Sequence, residues 1–85
     1  MPSFHTVLVT ASRNCLPLKT SYIVVSNRGD EHDIGDIELS LENSDDSFLL
    51  QHGERERFWG DFTHLCYTRK EDGHSEKIRL DIFEA

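Results

Sequence analysis

Residues 77–83 alternate strictly, with Ile78, Leu80 and Ile82 on one side and Lys77, Arg79 and Asp81 on the other. A period of two is that of a strand with one buried face and one wet face. Upstream, residues 57–70 are dense in aromatic and β-branched side chains, which suit a pleated surface. Extended, they put Phe58, Phe62 and Cys66 on one face and Trp59, Leu65 and Tyr67 on the other, as in a strand near the centre of a sheet. Between the two runs stand Glu71, Asp72 and Gly73, and glycine tolerates the positive φ of a tight reversal. The pattern predicts a long hairpin over 57–83, with Gly60 marking a bulge or a close backbone approach.

The rest of the chain reads as shorter strands. Residues 4–10 form a first strand and residues 21–26 a second, a continuous apolar run too short for a typical helix. Residues 11–19 contain Asn14 and Pro17 and read as a connection, because proline gives a sheet no N–H. In the third strand, over 34–41, Ile37, Leu39 and Leu41 face one way; Asp36, Glu38, Ser40 and Glu42 alternate against them. Residues 47–51 make a fourth around Phe48, Leu49 and Leu50. Polar turns fall at 27–30 and 43–46. Single helical turns fit only at 11–18 and 53–58. Six short strands predict an all-β single domain over 1–85, a small antiparallel β-sandwich or open barrel with a long C-terminal hairpin.

Length and charge narrow the functions. A chain of 85 residues buries roughly 60–65% of the surface its unfolded form exposes, which leaves little for a deep catalytic cleft. Lys and Arg number 9 against 16 Asp and Glu, for a formal charge of −7. That balance argues against direct nucleic-acid binding, which needs a basic face, and against an anionic membrane. No stretch is apolar enough to span a bilayer, and the N-terminus lacks the pattern of a signal peptide. A cytoplasmic product is expected, the host cytoplasm of a phage or virus included. Cys15 and Cys66 follow no metal-site spacing and read as two small buried hydrophobes, with a disulfide as the alternative.

Eight carboxylates lie close together in the chain: Asp30, Glu31, Asp33, Asp36, Glu38, Glu42, Asp45 and Asp46, with no Lys or Arg between Arg28 and Arg55. Strand residues two apart are about 6.6 Å from one another, so Asp36 and Glu38 share a face in a row like the charges of a nucleic-acid backbone. Such a row suits a basic groove, with fast association that weakens in salt; it reads first, though, as the solvated face that keeps a small domain soluble. The run Asp30, Glu31, His32 and Asp33 lacks the full calcium-loop pattern. His5, His32, His52, His64 and His74 are scattered, without zinc spacing. His64 and Cys66 share a strand face but have no third group to orient a base. Met1-Pro2 before a strand resembles the start of tautomerase-type enzymes, whose long helix is replaced here by Asn14, Pro17 and another strand. Arg28-Gly29-Asp30 is the tripeptide that integrins read in extracellular loops. Trp59, Tyr22 and Tyr67 suit partner contacts, although Trp59 among phenylalanines reads first as core. No catalytic residue, metal-ligand set or cofactor motif emerges.

The runs Val24-Val25-Ser26-Asn27-Arg28-Gly29-Asp30, Asp36-Ile37-Glu38-Leu39 and Phe48-Leu49-Leu50-Gln51-His52-Gly53-Glu54 set a rhythm of strands and turns over residues 22–83. It resembles small β-sandwich modules of phage virions. The resemblance implies a non-enzymatic structural or interaction protein that contacts a protein partner and copies of itself, with no membrane and no small-molecule substrate. The alternative is an acidic inhibitor that mimics nucleic acid and blocks a DNA- or RNA-binding protein.

Overall fold

A computed structural model describes residues 2–19, 21–29, 35–41, 47–60, 63–70 and 77–85. Eight strands run through them: β1 (Ser3–Val9), β2 (Asn14–Pro17), β3 (Tyr22–Asn27), β4 (Ile37–Leu41), β5 (Ser47–Leu50), β6 (Arg55–Trp59), β7 (His64–Arg69) and β8 (Ile78–Glu84). They form two four-stranded sheets, sheet A in the order β1-β8-β3-β6 and sheet B in the order β2-β7-β4-β5. Every pairing is antiparallel, and no helix occurs among the described residues.

The order has a simple origin. β4 pairs with β5, β3 with β6, β2 with β7 and β1 with β8, as in one long hairpin nested around the β4–β5 connection. Successive pairs of that hairpin fall in opposite sheets, so the doubled ribbon rolls up around its own apolar face. This is the jelly-roll form of the β-sandwich.

Alternation along each strand supplies the core. Ile23 and Val25 of β3 and Ile78, Leu80 and Ile82 of β8 are fully buried from sheet A. Ile37 and Leu39 of β4, Leu50 of β5 and Leu65 of β7 meet them from sheet B. Each such side chain contributes about 1.5–3 kcal/mol of burial. Asn27 closes one end. Its amide nitrogen donates to the carbonyls of Gly35 (2.9 Å) and Leu50 (3.1 Å), and its Oδ1 accepts from the Gly29 N–H (3.2 Å). It thus ties β3 of sheet A to β5 of sheet B. Buried Glu84 anchors another part of sheet A, with Oε2 2.6 Å from His5 Nε2 and Oε1 accepting from the Lys19 N–H at 2.7 Å.

The all-β antiparallel sandwich expected from the sequence is the fold, and the inward set Ile78, Leu80 and Ile82 stands as read. The long C-terminal hairpin does not form. β7 and β8 lie in different sheets, and residues 57–70 divide into β6 and β7, also in different sheets. The division comes at Gly60, whose φ of 147° is one that L side chains rarely adopt; its N–H donates to the Ser21 carbonyl at 2.9 Å. Among the described residues the strands number eight rather than six. The segment read as a connection, 11–19, contains β2, which lies on an edge and ends in Pro17, where a missing N–H costs no ladder bond. No helical turn forms at 11–18 or 53–58. Gly53, at φ 82°, instead makes the β5–β6 turn, in which the Glu54 N–H donates to the Gln51 carbonyl at 2.9 Å. The predicted turns at 71–73 and 43–46 lie outside the described residues.

The two cysteines are joined. β2 and β7 set Cys15 directly opposite Cys66, and a disulfide links them, with Cα atoms 4.0 Å apart. The reading as two buried hydrophobes is corrected on this point: Cys15 is exposed, because an edge strand presents its outer side chains to solvent.

Candidate interaction face

The outward positions of sheet A form a continuous surface whose rows follow from the register. One row runs Phe4, Phe83, Val24 and Arg57; the next runs Thr6, Asp81, Ser26 and Arg55. Leu8 stands beside Arg79, and Tyr22 faces Trp59. Apolar residues here are open to solvent: Trp59 is 71% exposed, Phe4 62% and Leu8 54%. Trp59 stacks on Tyr22 with ring centroids 6.1 Å apart and planes at 22°. The expectation that Trp59 fills the core is therefore overturned. Its position in β6 has outward parity, and the adjacent Phe58 is the one that packs against the core.

Arg28, Arg55, Arg57 and Arg79 share this surface. Asp81 is the carboxylate among them, buried at the centre of the sheet. It accepts from the Thr6 hydroxyl (3.0 Å) and from Arg79 through Nε (3.0 Å) and Nη2 (3.2 Å). Arg28 Nε lies 3.9 Å from Asp81 Oδ2, and the Arg28 N–H donates to the Arg79 carbonyl. Among the described residues, neither Arg55 nor Arg57 has a carboxylate partner. A groove of about 410 Å³ lies over Phe4, Val24, Phe83, Ser26, Arg28, Arg55 and Asp81. A second of about 290 Å³ shares Ser26, Arg28 and Arg55 and continues over His52, Gly53 and Glu54. Arg28 and Arg55 thus stand where an apolar groove meets a polar one.

The predicted acidic site is described only in part. Asp30, Glu31, Asp33, Glu42, Asp45 and Asp46 lie outside the described residues, as do His32 and His74. Asp36 and Glu38 are described: Glu38 lies on β4 of sheet B, and Asp36 immediately precedes that strand. Asp36 gives its carbonyl to the Lys70 N–H at 3.0 Å. Glu38 Oε2 lies 3.9 Å from Lys70 Nζ, so a cation already stands beside that carboxylate. Cys66 is held in the disulfide, and His64 Nδ1 is 2.9 Å from Thr63 Oγ1; the pair offers no thiolate. Among the described residues, no group of three or more His, Cys, Asp or Glu is placed to hold a metal ion. Among the described residues no helix is long and apolar enough to cross a membrane. The inner faces of the two sheets meet through aliphatic side chains, with Tyr67 among them.

Sequence reasoning missed the arginine surface because its members come from β3, β6 and β8 and from the residue after β3. The available signal was parity: Arg55 and Arg57 are two apart, as are Arg79 and Asp81.

No protein-family model matches the chain, and no curated protein matches it. Solved structures do. The chain is similar to a cupin-2 domain containing protein from Shewanella frigidimarina, at 15% identity and a TM-score of 0.62, over 98% of this chain and 69% of that one. It is similar to an HTH_3 family transcriptional regulator from Vibrio cholerae, at 17% identity and a TM-score of 0.60, over 99% of this chain; it spans 42% of the regulator. A de novo designed double-stranded β-helix matches at 13% identity and a TM-score of 0.55, over 99% of this chain and 96% of the design. At these identities the likeness is one of fold, in agreement with the strand order.

Proposed function

We propose that the chain is a non-enzymatic protein-interaction module of an assembly, and that the outward face of sheet A receives an acidic segment of a protein partner. The observation that carries this reading is the gathering of Arg28, Arg55, Arg57 and Arg79 with solvent-exposed Phe4, Phe83 and Trp59 on one sheet face of a chain whose formal charge is −7. Arginine and tryptophan are the side chains that most often dominate binding energy at interfaces. A guanidinium next to an apolar groove fits a carboxylate carried beside an apolar side chain. Jelly rolls serve in virus shells, lectins and cupins alike, so fold alone selects none of these. A virion setting belongs to the proposal as one assembly in which such a module would work.

Trp59 is the sole tryptophan and lies on the face in question, so its fluorescence reports binding there. The probe is a synthetic peptide alternating Glu with Leu and Phe. Its addition is expected to shift Trp59 emission, with affinity falling as salt rises. Arg55→Glu with Arg57→Glu should weaken that binding by roughly tenfold or more at low salt. If an oligothymidylate shifts Trp59 with the same arginine dependence while the peptide does not, the partner class is wrong. If neither ligand acts, the proposed face is wrong.

A further inference from the structure

Sheet A ends on β1 and β6, and sheet B on β2 and β5. An open strand edge invites another strand unless it is short, charged or interrupted by proline. β6 places Arg55, Glu56 and Arg57 within its five residues. β5 has four residues. β2 has four, ends in Pro17 and is tied to β7 by the disulfide. β1 differs from all three. Its seven residues, Ser-Phe-His-Thr-Val-Leu-Val, contain no Lys, Arg, Asp, Glu or Pro, and its His5 is engaged by Glu84. Among the described residues no strand pairs with its outer edge.

Charge selects the same edge. Two copies of a chain at −7 repel each other, and the approach that costs least is the one that brings no carboxylate against a carboxylate. No Asp or Glu precedes Asp30, whereas Arg13, Lys19 and Arg28 do. β1 therefore offers an uncharged edge in the part of the chain that is free of acid.

We infer that β1 pairs antiparallel with β1 of a second copy, about a two-fold axis at Thr6, so that two A sheets join into one continuous sheet. The register follows from the side chains. With the axis at Thr6, exposed Phe4 faces the other copy's Leu8, Leu8 faces the other copy's Phe4, and the two Thr6 side chains meet. With the axis moved to His5, Phe4 faces Thr6; moved to Val7, it faces Thr10. Only the first register covers both exposed apolar residues of the strand with each other. The contact is self-complementary, as a two-fold interface requires, and its backbone bonds are those of strand addition. It shares Phe4 with the acidic-partner surface, but Leu8 does not line that groove and Arg55 and Arg57 lie on β6 at the opposite edge, so Leu8→Glu and Arg55→Glu with Arg57→Glu tell the two readings apart.

Solution mass by light scattering at low and high salt, with backbone amide exchange of β1, tests the pairing. The wild type is expected at twice its chain mass in both conditions, with the outward amides of β1 protected. Phe4→Lys alone and Leu8→Glu alone should each weaken dimerisation roughly tenfold or more, because every substitution enters the interface twice. Both in one chain should restore the dimer at low salt, since each introduced ammonium then faces an introduced carboxylate. Both sites are exposed, and an unchanged circular dichroism spectrum shows that the variants remain folded. A monomeric wild type with fast-exchanging β1 amides overturns the inference. So does a dimer indifferent to the single substitutions, or a double variant that associates no better than either single one.

Discussion

Tyr67 lies on the inward face of β7, between the sheets, with its ring in the core cluster. Burial disfavours the phenolate and pushes its pKa above the ordinary value of 10.0. The folded protein therefore holds this proton more tightly than the unfolded chain does. The resulting stability is fully present below about pH 10 and is lost as pH rises through the raised folded value. Chemical denaturation across the alkaline range should show a decline in the wild type that is smaller in Tyr67→Phe. Every other group is common to the two proteins, so the difference between the two curves isolates Tyr67. An identical alkaline decline in both would remove the phenol as its cause.

Single strands were legible in the sequence where their alternation is local, and their partners were not. β8 declares its inward face through Ile78, Leu80 and Ile82, and β4 through Ile37 and Leu39; both sets are buried. Pairing in a jelly roll joins residues far apart in sequence, such as Ser3 with Glu84, and no neighbouring residue signals it. Glu71, Asp72 and Gly73 looked like a hairpin turn because they follow one apolar run and precede another. The same limit concealed the arginine surface, which only the registers of β3, β6 and β8 assemble. It also concealed Asn27, which reads as a turn residue yet is 1% exposed and holds both sheets. Asn27→Ala leaves the Gly35 and Leu50 carbonyls and the Gly29 N–H without their side-chain partner. Such a loss should cost about 2–4 kcal/mol in urea denaturation. Ser26→Ala, at the outward neighbour on the same strand, should stay within about 0.5 kcal/mol. Equal effects would mean that Asn27 does not join the sheets.

The disulfide acts on the whole molecule. Cys15 and Cys66 are 51 residues apart, and the loop they close contains β3, β4, β5 and β6, half of each sheet. Recognising β2 as a strand is what makes the bond intelligible, because only its register against β7 sets the two cysteines opposite each other. Pro17 hid that strand, and with it the bond. Closing a loop of this length restricts the unfolded chain, an effect worth about 4 kcal/mol in the chain-entropy treatment. A domain of 85 residues has a small total stability, of the order of 5–10 kcal/mol, so the bond is a large part of it. Reduction, or Cys15→Ser with Cys66→Ser, should lower the denaturation midpoint sharply. It should also steepen the dependence on denaturant, because the released chain exposes more surface on unfolding. A midpoint that falls with no change in slope would assign the loss to native contacts around Cys66, which is nearly buried, instead of to chain entropy. A midpoint that does not move would show that the nested strand pairs hold the roll closed without the bond.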